Sequence, residues 1–139
     1  MSQLDVPVAL LDAVRAQART ELAPLVGAID QEGLYPAEYL QHLGALGGFG
    51  ASVPVEHGGS GLGLATQIDV TTQVGSECGA TAFLVWCQST CAWYLQHAPN
   101  PAVRERYLQP VAQGTLFAGT GMSNAVKHLA GLEKIQLHA

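Results

Sequence analysis

One long apolar segment limits the folds open to this chain more than any other feature. Between about Ala80 and His97 the sequence contains no Asp, Glu, Lys or Arg, and apolar residues fall on nearly every side of a helix. Such a helix is expected to be surrounded by other elements. Gln88, Ser89 and Thr90 interrupt the segment, which is too short to span a bilayer comfortably. We therefore predict a central helix and no membrane-spanning segment.

Shorter amphipathic segments on both sides of this helix predict a helical bundle. Apolar residues recur at steps of three and four from Leu11 to Ile29, and Pro24 is expected to kink or divide that helix. Pro36 suits the first turn of a second helix. The five predicted helices of this up-and-down bundle cover, in order, about residues 11–29, 36–46, 64–77, 80–97 and 100–108.

The remaining segments predict a loop and the beginning of a second domain. Residues 53–63 contain six turn formers in eleven positions, which predicts a loop. Residues 115–122 have the pattern of a short buried strand, and residues 132–137 that of a second one. The sequence therefore predicts a mainly α chain, with an N-terminal helical domain over residues 1–114 and the first strands of a β domain over residues 115–139.

The low charge content indicates a domain that packs against others. Only 12% of the residues are charged, about half the usual fraction, so we expect part of the surface to be buried against other domains or in a homo-oligomer. The net charge of −5, without any basic run, excludes a nucleic-acid binder. Cys78, Cys87 and Cys91 are expected to be reduced thiols in a cytoplasmic protein, because the N-terminus has no signal peptide.

The familiar catalytic and metal motifs are incomplete. Gly59–Gly63 lacks the third glycine of a dinucleotide fingerprint, because Leu64 stands in its place. Gly121–Ala125 is close to the nucleophile elbow of serine hydrolases, but the acid and histidine that should follow on separate strands are lacking. The five histidines form no i, i+4 pair and no cluster with carboxylates, and the cysteine spacing matches no zinc motif. No metal site is predicted.

Several motifs nevertheless occur in a distinctive order. They are the helix end Glu21–Leu25, the pair Ile29-Asp30, the short helix after Pro36, the turn Leu46–Gly50, the loop Val53–Leu62 and the helix end Arg104–Gly114. This series resembles the N-terminal helical domain of the acyl-CoA dehydrogenase family, with its continuation into the middle β domain. The resemblance covers nearly the whole chain.

The resemblance implies a three-domain flavoenzyme that carries out α,β-dehydrogenation of an acyl thioester. In the family, FAD lies between the β domain and a C-terminal helical bundle, and a glutamate from that bundle removes the α-proton. That glutamate would lie beyond Ala139, so no catalytic residue is assigned here. The isolated chain, without the rest of the β domain and the bundle, is expected to be inactive.

The resemblance also assigns cofactor and substrate residues. The family has a Thr-Glu-Pro sequence on the first β-domain strand, whose amide and hydroxyl reach the pyrimidine edge of the flavin. The matching Met122 amide and Ser123 hydroxyl are thereby predicted to bind FAD in an incomplete site. The fourth helix borders the acyl cavity in the family, which makes Trp86, Gln88 and Ser89 candidate pocket residues for acyl-CoA or another small apolar substrate.

Two departures from the family pattern leave alternatives open. Asn124 replaces the acidic residue, and Ala125–His128 replaces the usual Gly-x-Gly-Ser-Asp continuation that helps to place the thioester and pantetheine. Flavin-dependent monooxygenases share this fold and act on substrates without CoA, which gives one alternative. A non-catalytic packing or binding module is the other.

Overall fold

The computed structural model describes residues 5–136, which are mainly helical. The α-helices are α1 (Asp5–Gln17), α2 (Val26–Glu32), α3 (Ala37–Ala45), α4 (Gly63–Gly75), α5 (Gly79–Gln96), α6 (Pro101–Ala112) and α7 (Met122–Leu129), with a 3-10 turn at Val55–His57. α5 packs between α4 and α6, and α1 packs against α4. The predicted mainly α fold is therefore confirmed, and so is the central position of the long apolar helix.

The first predicted helix divides around Pro24. α1 is followed by a π-helical turn, Ala18–Leu22, and a 3-10 turn, Ala23–Leu25, before α2 begins. Proline has no amide hydrogen, so regular α-helical hydrogen bonding cannot continue through it. α2 ends at Gly33, whose φ of 69° lies in the left-handed region that glycine adopts without strain.

Side-chain caps begin α5 and α6. The Cys78 sulfur accepts a hydrogen bond from the Thr81 amide at 3.4 Å and another from the Thr81 hydroxyl at 3.2 Å. The Asn100 carboxamide oxygen accepts one from the Ala102 amide at 3.0 Å, and Pro101 occupies the first turn, where an amide hydrogen is not needed. These caps satisfy first-turn amides and fix the residue at which each helix begins.

The predicted loop over residues 53–63 is confirmed, and backbone hydrogen bonds hold it to the turn before it. The Ser60 amide donates to the Gly50 carbonyl oxygen at 3.0 Å, and the Leu62 amide donates to the Ala51 carbonyl oxygen at 2.7 Å. That turn is itself bound to α4. Gln67 of α4 accepts a hydrogen bond from the Ala51 amide at 3.1 Å and donates one to the Gly48 carbonyl oxygen at 2.8 Å. Gly59 is so close to the backbone that a Cβ there would lie 2.1 Å from a carbonyl oxygen. Only glycine fits at that position, where the loop packs against the backbone of Val53 and Gly50 just before α4 begins.

The predicted strand over residues 115–122 is wrong. Residues 115–121 are irregular, and α7 begins directly after them. A strand needs a neighbouring strand to pair its amides and carbonyls, and residues 5–136 contain none. The backbone groups pair with a side chain instead: Gln88 donates to the Leu116 carbonyl oxygen and accepts from the Ala118 amide.

The second predicted strand, residues 132–137, is also wrong over residues 132–136, which are irregular; Leu137 lies outside the described residues. Asn124 ties this stretch to α7. Its side-chain nitrogen donates to the Glu133 carboxylate at 2.8 Å, and its oxygen accepts from the Gln136 amide at 2.8 Å. The segment after α6 therefore consists of a helix and a turn that Asn124 holds by hydrogen bonds. The domain boundary at residue 114 stays a prediction.

Candidate functional site

A cavity of about 410 Å³ lies between the exposed sides of α4 and α5. Ten residues line it: Ser52, Leu64, Gln67, Ile68, Thr71, Thr72, Trp86, Ser89, Thr90 and Trp93. Both tryptophans of the chain are among them. The volume is in the range of small-molecule sites.

The cavity is less polar than its residue names suggest. Three of its hydroxyls donate to carbonyl oxygens one turn earlier in their own helices: Thr71 at 3.1 Å, Thr72 at 2.9 Å and Ser89 at 2.9 Å. Both polar ends of the Gln67 carboxamide are bound to the backbone of Gly48 and Ala51, in the turn before the loop. None of the ten lining residues is ionisable. The cavity therefore favours a neutral and largely apolar ligand group.

The structure places two of the three predicted pocket residues together. Trp86 and Ser89 both line the α4–α5 cavity, and Gln88 points to the other side of α5. Its side-chain nitrogen donates to the carbonyl oxygens of Val111 and Leu116, each at 2.8 Å, and its oxygen accepts from the Ala118 amide at 2.7 Å. Gln88 is buried, and it connects α5 to α6 and to the segment that leads to α7.

Gln88 also borders a smaller cavity of about 240 Å³ on that side of α5. Its walls include Tyr35, Phe117 and Cys87. The rings of Tyr35 and Phe117 meet edge to face, with centroids 6.4 Å apart, and close part of this space. Since the Gln88 carboxamide already makes three hydrogen bonds to the backbone, it has little capacity to bind a ligand there.

The two predicted flavin-binding residues lie in the first turn of α7. Gly121 precedes the helix without a side-chain cap, and Met122 and Ser123 are its first two residues. Amides in the first turn of a helix have no acceptor within the helix, so they are available to an anion or an electron-rich edge. Ser123 is exposed. The structure thus brings two amides and a hydroxyl together at an accessible helix end.

The groups with shifted pKa values lie elsewhere. Burial raises the pKa of the Tyr39 hydroxyl far above its ordinary value, and nearby Glu21 and Cys78 add to that effect. A side-chain hydrogen bond to Glu21, 2.8 Å from Nδ1, raises the pKa of His42 on the surface. Because none of these groups lines the α4–α5 cavity, the cavity's chemistry is binding rather than proton transfer.

Neither a metal cluster nor a membrane-spanning helix occurs in the part of the chain that the structure describes. No three His, Cys, Asp or Glu side chains come together there in a way that could hold a metal ion. Among the helices between residues 5 and 136, none combines the length and apolar character needed to cross a membrane.

Sequence reasoning missed most of the cavity wall. Thr90 and Trp93 follow Trp86 at steps of four and seven, which places them along one side of a helix, and this spacing could have identified them. Ile68 and Thr71 of α4 could not have been found in the same way. Their position against α5 depends on how the two helices pack.

The fold defines a class: a mainly α domain whose central helix borders a neutral cavity. Sequence comparison identifies the family within that class. The family model described as "Acyl-CoA dehydrogenase, N-terminal domain" matches residues 7–115. The chain belongs to the acyl-CoA dehydrogenase family. The matched region extends from α1 to the end of α6 and includes both walls of the α4–α5 cavity.

Individual relatives agree with the family match. Cyclohex-1-ene-1-carbonyl-CoA dehydrogenase of Geobacter metallireducens is 34% identical over 103 residues, 73% of this chain and 27% of the relative. The enzyme of the same name from Syntrophus aciditrophicus is 31% identical over 115 residues, 80% of this chain and 28% of the relative. The chain thus spans little more than a quarter of either relative.

A solved structure shows the same fold. Butyryl-CoA dehydrogenase of Megasphaera elsdenii superposes with a TM-score of 0.76 at 24% sequence identity, over 84% of this chain and 32% of that one. The resemblance stated from the motifs, to the N-terminal helical domain of this family, is confirmed.

Proposed function

We propose that this chain is the N-terminal helical part of an FAD-dependent oxidoreductase that removes two hydrogens from the α and β carbons of an acyl thioester. The observation that carries the proposal is the neutral α4–α5 cavity in a domain of the acyl-CoA dehydrogenase family. An acyl group is neutral and apolar, as the walls of the cavity require. Trp86 and Ser89 form part of the α5 wall of this site.

The names of the relatives support an acyl-CoA substrate. Two of them are dehydrogenases of cyclohex-1-ene-1-carbonyl-CoA, and another is the short-chain acyl-CoA dehydrogenase of Clostridium acetobutylicum. The acyl groups in these names differ, so the family match supports a CoA thioester and does not identify the acyl group.

The first turn of α7 fits the pyrimidine edge of a flavin. In its reduced form this edge carries negative charge, and the amides of Met122 and Ser123, together with the Ser123 hydroxyl, are suitable donors. FAD, when bound, would accept the hydride in this chemistry. The contribution of these residues is to hold its electron-rich edge and to favour the reduced form.

The chain's own residues bind and orient but do not transfer protons in this scheme. The apolar walls of the α4–α5 cavity contact the acyl group, and none of the lining residues is ionisable. The base must come from another part of the enzyme. We therefore propose that this chain alone neither retains FAD nor oxidises an acyl-CoA.

We propose further that the exposed apolar surfaces mediate association with other domains or copies. Phe83 is 60% exposed and Leu64 is also 60% exposed, beside the cavity. A surface of that kind, on a chain with 12% charged residues, suits burial in an assembly. The free cysteines are consistent with a reducing, cytoplasmic location.

A chimera tests the proposed function. Residues 7–136 would replace the equivalent segment of the Geobacter cyclohex-1-ene-1-carbonyl-CoA dehydrogenase, with the unaltered relative as the control. We expect the chimera to keep its flavin spectrum after desalting and to reduce a dye with an acyl-CoA, whereas the isolated chain should do neither. A chimera that retains FAD but is reduced by no acyl-CoA would contradict dehydrogenation.

One observation keeps the monooxygenase alternative as a second candidate. Asn124 occupies the position at which the family pattern has an acidic residue, and its side chain is engaged by Glu133 and Gln136 in the turn after α7. Its side-chain hydrogen-bonding groups are thus already bound within the chain. In the chimera, oxygen consumption with product hydroxylation, in place of dye reduction, would favour this candidate.

A further inference from the structure

Aromatic side chains follow one another along the α5 wall of the cavity. Trp86 and Trp93 are seven residues apart, which is two helical turns and about 10.5 Å along the axis. Thr90, between them on the same side, is much smaller than either indole. The two tryptophans therefore border a gap above Thr90, and that gap opens into the α4–α5 cavity.

Each indole is supported on the side away from this gap. The ring of Phe83, one turn before Trp86, stacks on it with centroids 5.5 Å apart and 28° between the planes. The imidazole of His97, one turn after Trp93, lies with its centroid 4.3 Å away and 35° between the planes. His97 is itself held, because its Nδ1 is 2.8 Å from the Trp93 carbonyl oxygen. Each indole thus has a ring packed against it from the helical turn away from Thr90, and both indoles remain partly exposed, Trp86 at 37% and Trp93 at 45%.

The opposite wall adds hydrocarbon and no charge. Ile68 lines the cavity from α4, and the Thr71 and Thr72 hydroxyls donate to their own helix. A charged ligand group would lose its hydration without gaining a partner here. A flexible chain would lose rotational freedom between two fixed surfaces, whereas a ring has little to lose.

We propose that the gap between Trp86 and Trp93 binds a neutral hydrocarbon ring, so that the acyl groups this site accepts are ring-bearing rather than linear. The inference rests on the proposed function for the identity of the acyl group, and on the geometry of α5 for the ring. Trp86, Thr90 and Trp93 are then the residues that determine specificity.

The proposal can be tested on the 139-residue chain, because its only two tryptophans border the gap and report on it by fluorescence. The chain is titrated with cyclohexanecarboxamide, with linear hexanamide, and with cyclohexanecarboxylate at neutral pH. We expect a saturable change with the ring amide and binding about tenfold weaker with hexanamide, because of the rotational cost. The carboxylate should give no saturation.

Variants at one position separate ring binding from folding. Thr90→Leu fills the gap and should weaken binding of the ring amide at least about tenfold, and Thr90→Ser should retain it. Ala80→Leu adds the same side chain at an exposed position of α5 outside the cavity, and it should bind like the unaltered chain. The thermal midpoint of each variant checks that it is folded.

Each contrary outcome has a distinct meaning. Equal affinity for cyclohexanecarboxamide and hexanamide would overturn the ring proposal and leave an acyl site as proposed above. No saturable change with any probe would overturn it too, while the chimera still decides the proposed function. A stable dimer in sedimentation, with both tryptophans shielded from a quencher, would show that a second copy covers the gap and would equally overturn the proposal.

Discussion

The two sides of α5 differ in how their polar and aromatic groups are used. On the buried side, Gln88 makes three hydrogen bonds to the backbone of α6 and of the segment after it, and the fully buried Val85 packs into the core with residues of α1, α3 and α4. On the side facing the cavity, Trp86 and Trp93 remain 37% and 45% exposed, although they are among the largest apolar residues of the chain. The first side fixes the fold, and the second is left for a ligand or another domain.

This difference shows why an apolar helix need not be buried all round. The side that holds α6 is satisfied within the chain and tolerates little change. The side that borders the cavity keeps large side chains partly exposed, so we expect their substitution to cost less stability. Substitutions on the side that holds α6 should therefore lower the stability of the fold, and substitutions on the side that borders the cavity should mainly lower ligand affinity.

The largest expected effect is at Gln88. Gln88→Leu leaves the Val111 and Leu116 carbonyl oxygens and the Ala118 amide without their partner, and an unsatisfied buried group costs about 1–3 kcal/mol. We expect the free energy of unfolding in urea to fall by about 3–5 kcal/mol. Gln96→Leu on the same helix is the control. The Gln96 side-chain oxygen is buried without a hydrogen-bond partner among the described residues, so its removal should be neutral or stabilising.

A smaller effect is expected from apolar truncation on the two sides. Val85→Ala removes buried methyl groups from the core and should lower the free energy of unfolding by about 2–3 kcal/mol. Phe83→Ala, at a side chain that is 60% exposed, should lower it by less than about 1 kcal/mol. Urea denaturation of both variants measures the difference. Equal losses would mean that the outward side of α5 also supports the fold.

A substitution at Ser123 tests whether the first turn of α7, which follows the segment bound by Gln88, contributes to a flavin site. In the chimera, Ser123→Ala removes one donor to a site that becomes anionic on reduction, and such a bond is worth about 1.5–3 kcal/mol. Since about 1.4 kcal/mol corresponds to ~30 mV for two electrons, the flavin midpoint should fall by tens of millivolts. The thermal midpoint should change little. An unchanged potential with a lower melting temperature would instead show that Ser123 is structural.

The smallest expected effect is on the pH dependence of the two thiols of α5. Burial raises the pKa of both Cys87 and Cys91, so less thiolate is present at a given pH. Alkylation of the folded chain should therefore need a higher pH than alkylation in urea. Because the pKa of each thiol is higher in the folded chain than in the unfolded chain, the protonated thiols contribute to the stability of the folded state. This contribution is complete below the ordinary thiol pKa and is lost as the pH rises through the raised values. Identical pH profiles for the folded and unfolded chains would contradict the shift.

The sequence predicted the helices well because their signals are local. The spacing of apolar residues, the break at Pro24 and the turn formers of residues 53–63 each act within a few positions, and all three appear in the structure. The strand predicted for residues 115–122 failed because a strand depends on a partner, which a local pattern does not reveal. α7 and the turn that Asn124 holds by hydrogen bonds form in its place.

The candidate site was only partly accessible to sequence reasoning. The family resemblance pointed to α5, but it could not show that Gln88 faces α6 while its neighbour Ser89 faces the cavity. That distinction depends on the rotation of α5, which the packing of α4 and α6 sets. The α4 wall, with Ile68 and Thr71, was missed for the same reason. Whether Met122 and Ser123 bind a flavin stays a prediction.

The central claim is that the outward side of α5 binds the acyl group of a dehydrogenase substrate. The most direct measurement is the steady-state kinetics of the chimera with and without Thr90→Leu, at the cavity, using cyclohex-1-ene-1-carbonyl-CoA. We predict that KM rises at least about tenfold, while FAD content and the thermal midpoint do not change. An unchanged KM and kcat in a folded, FAD-containing variant would contradict the claim and place the acyl group elsewhere.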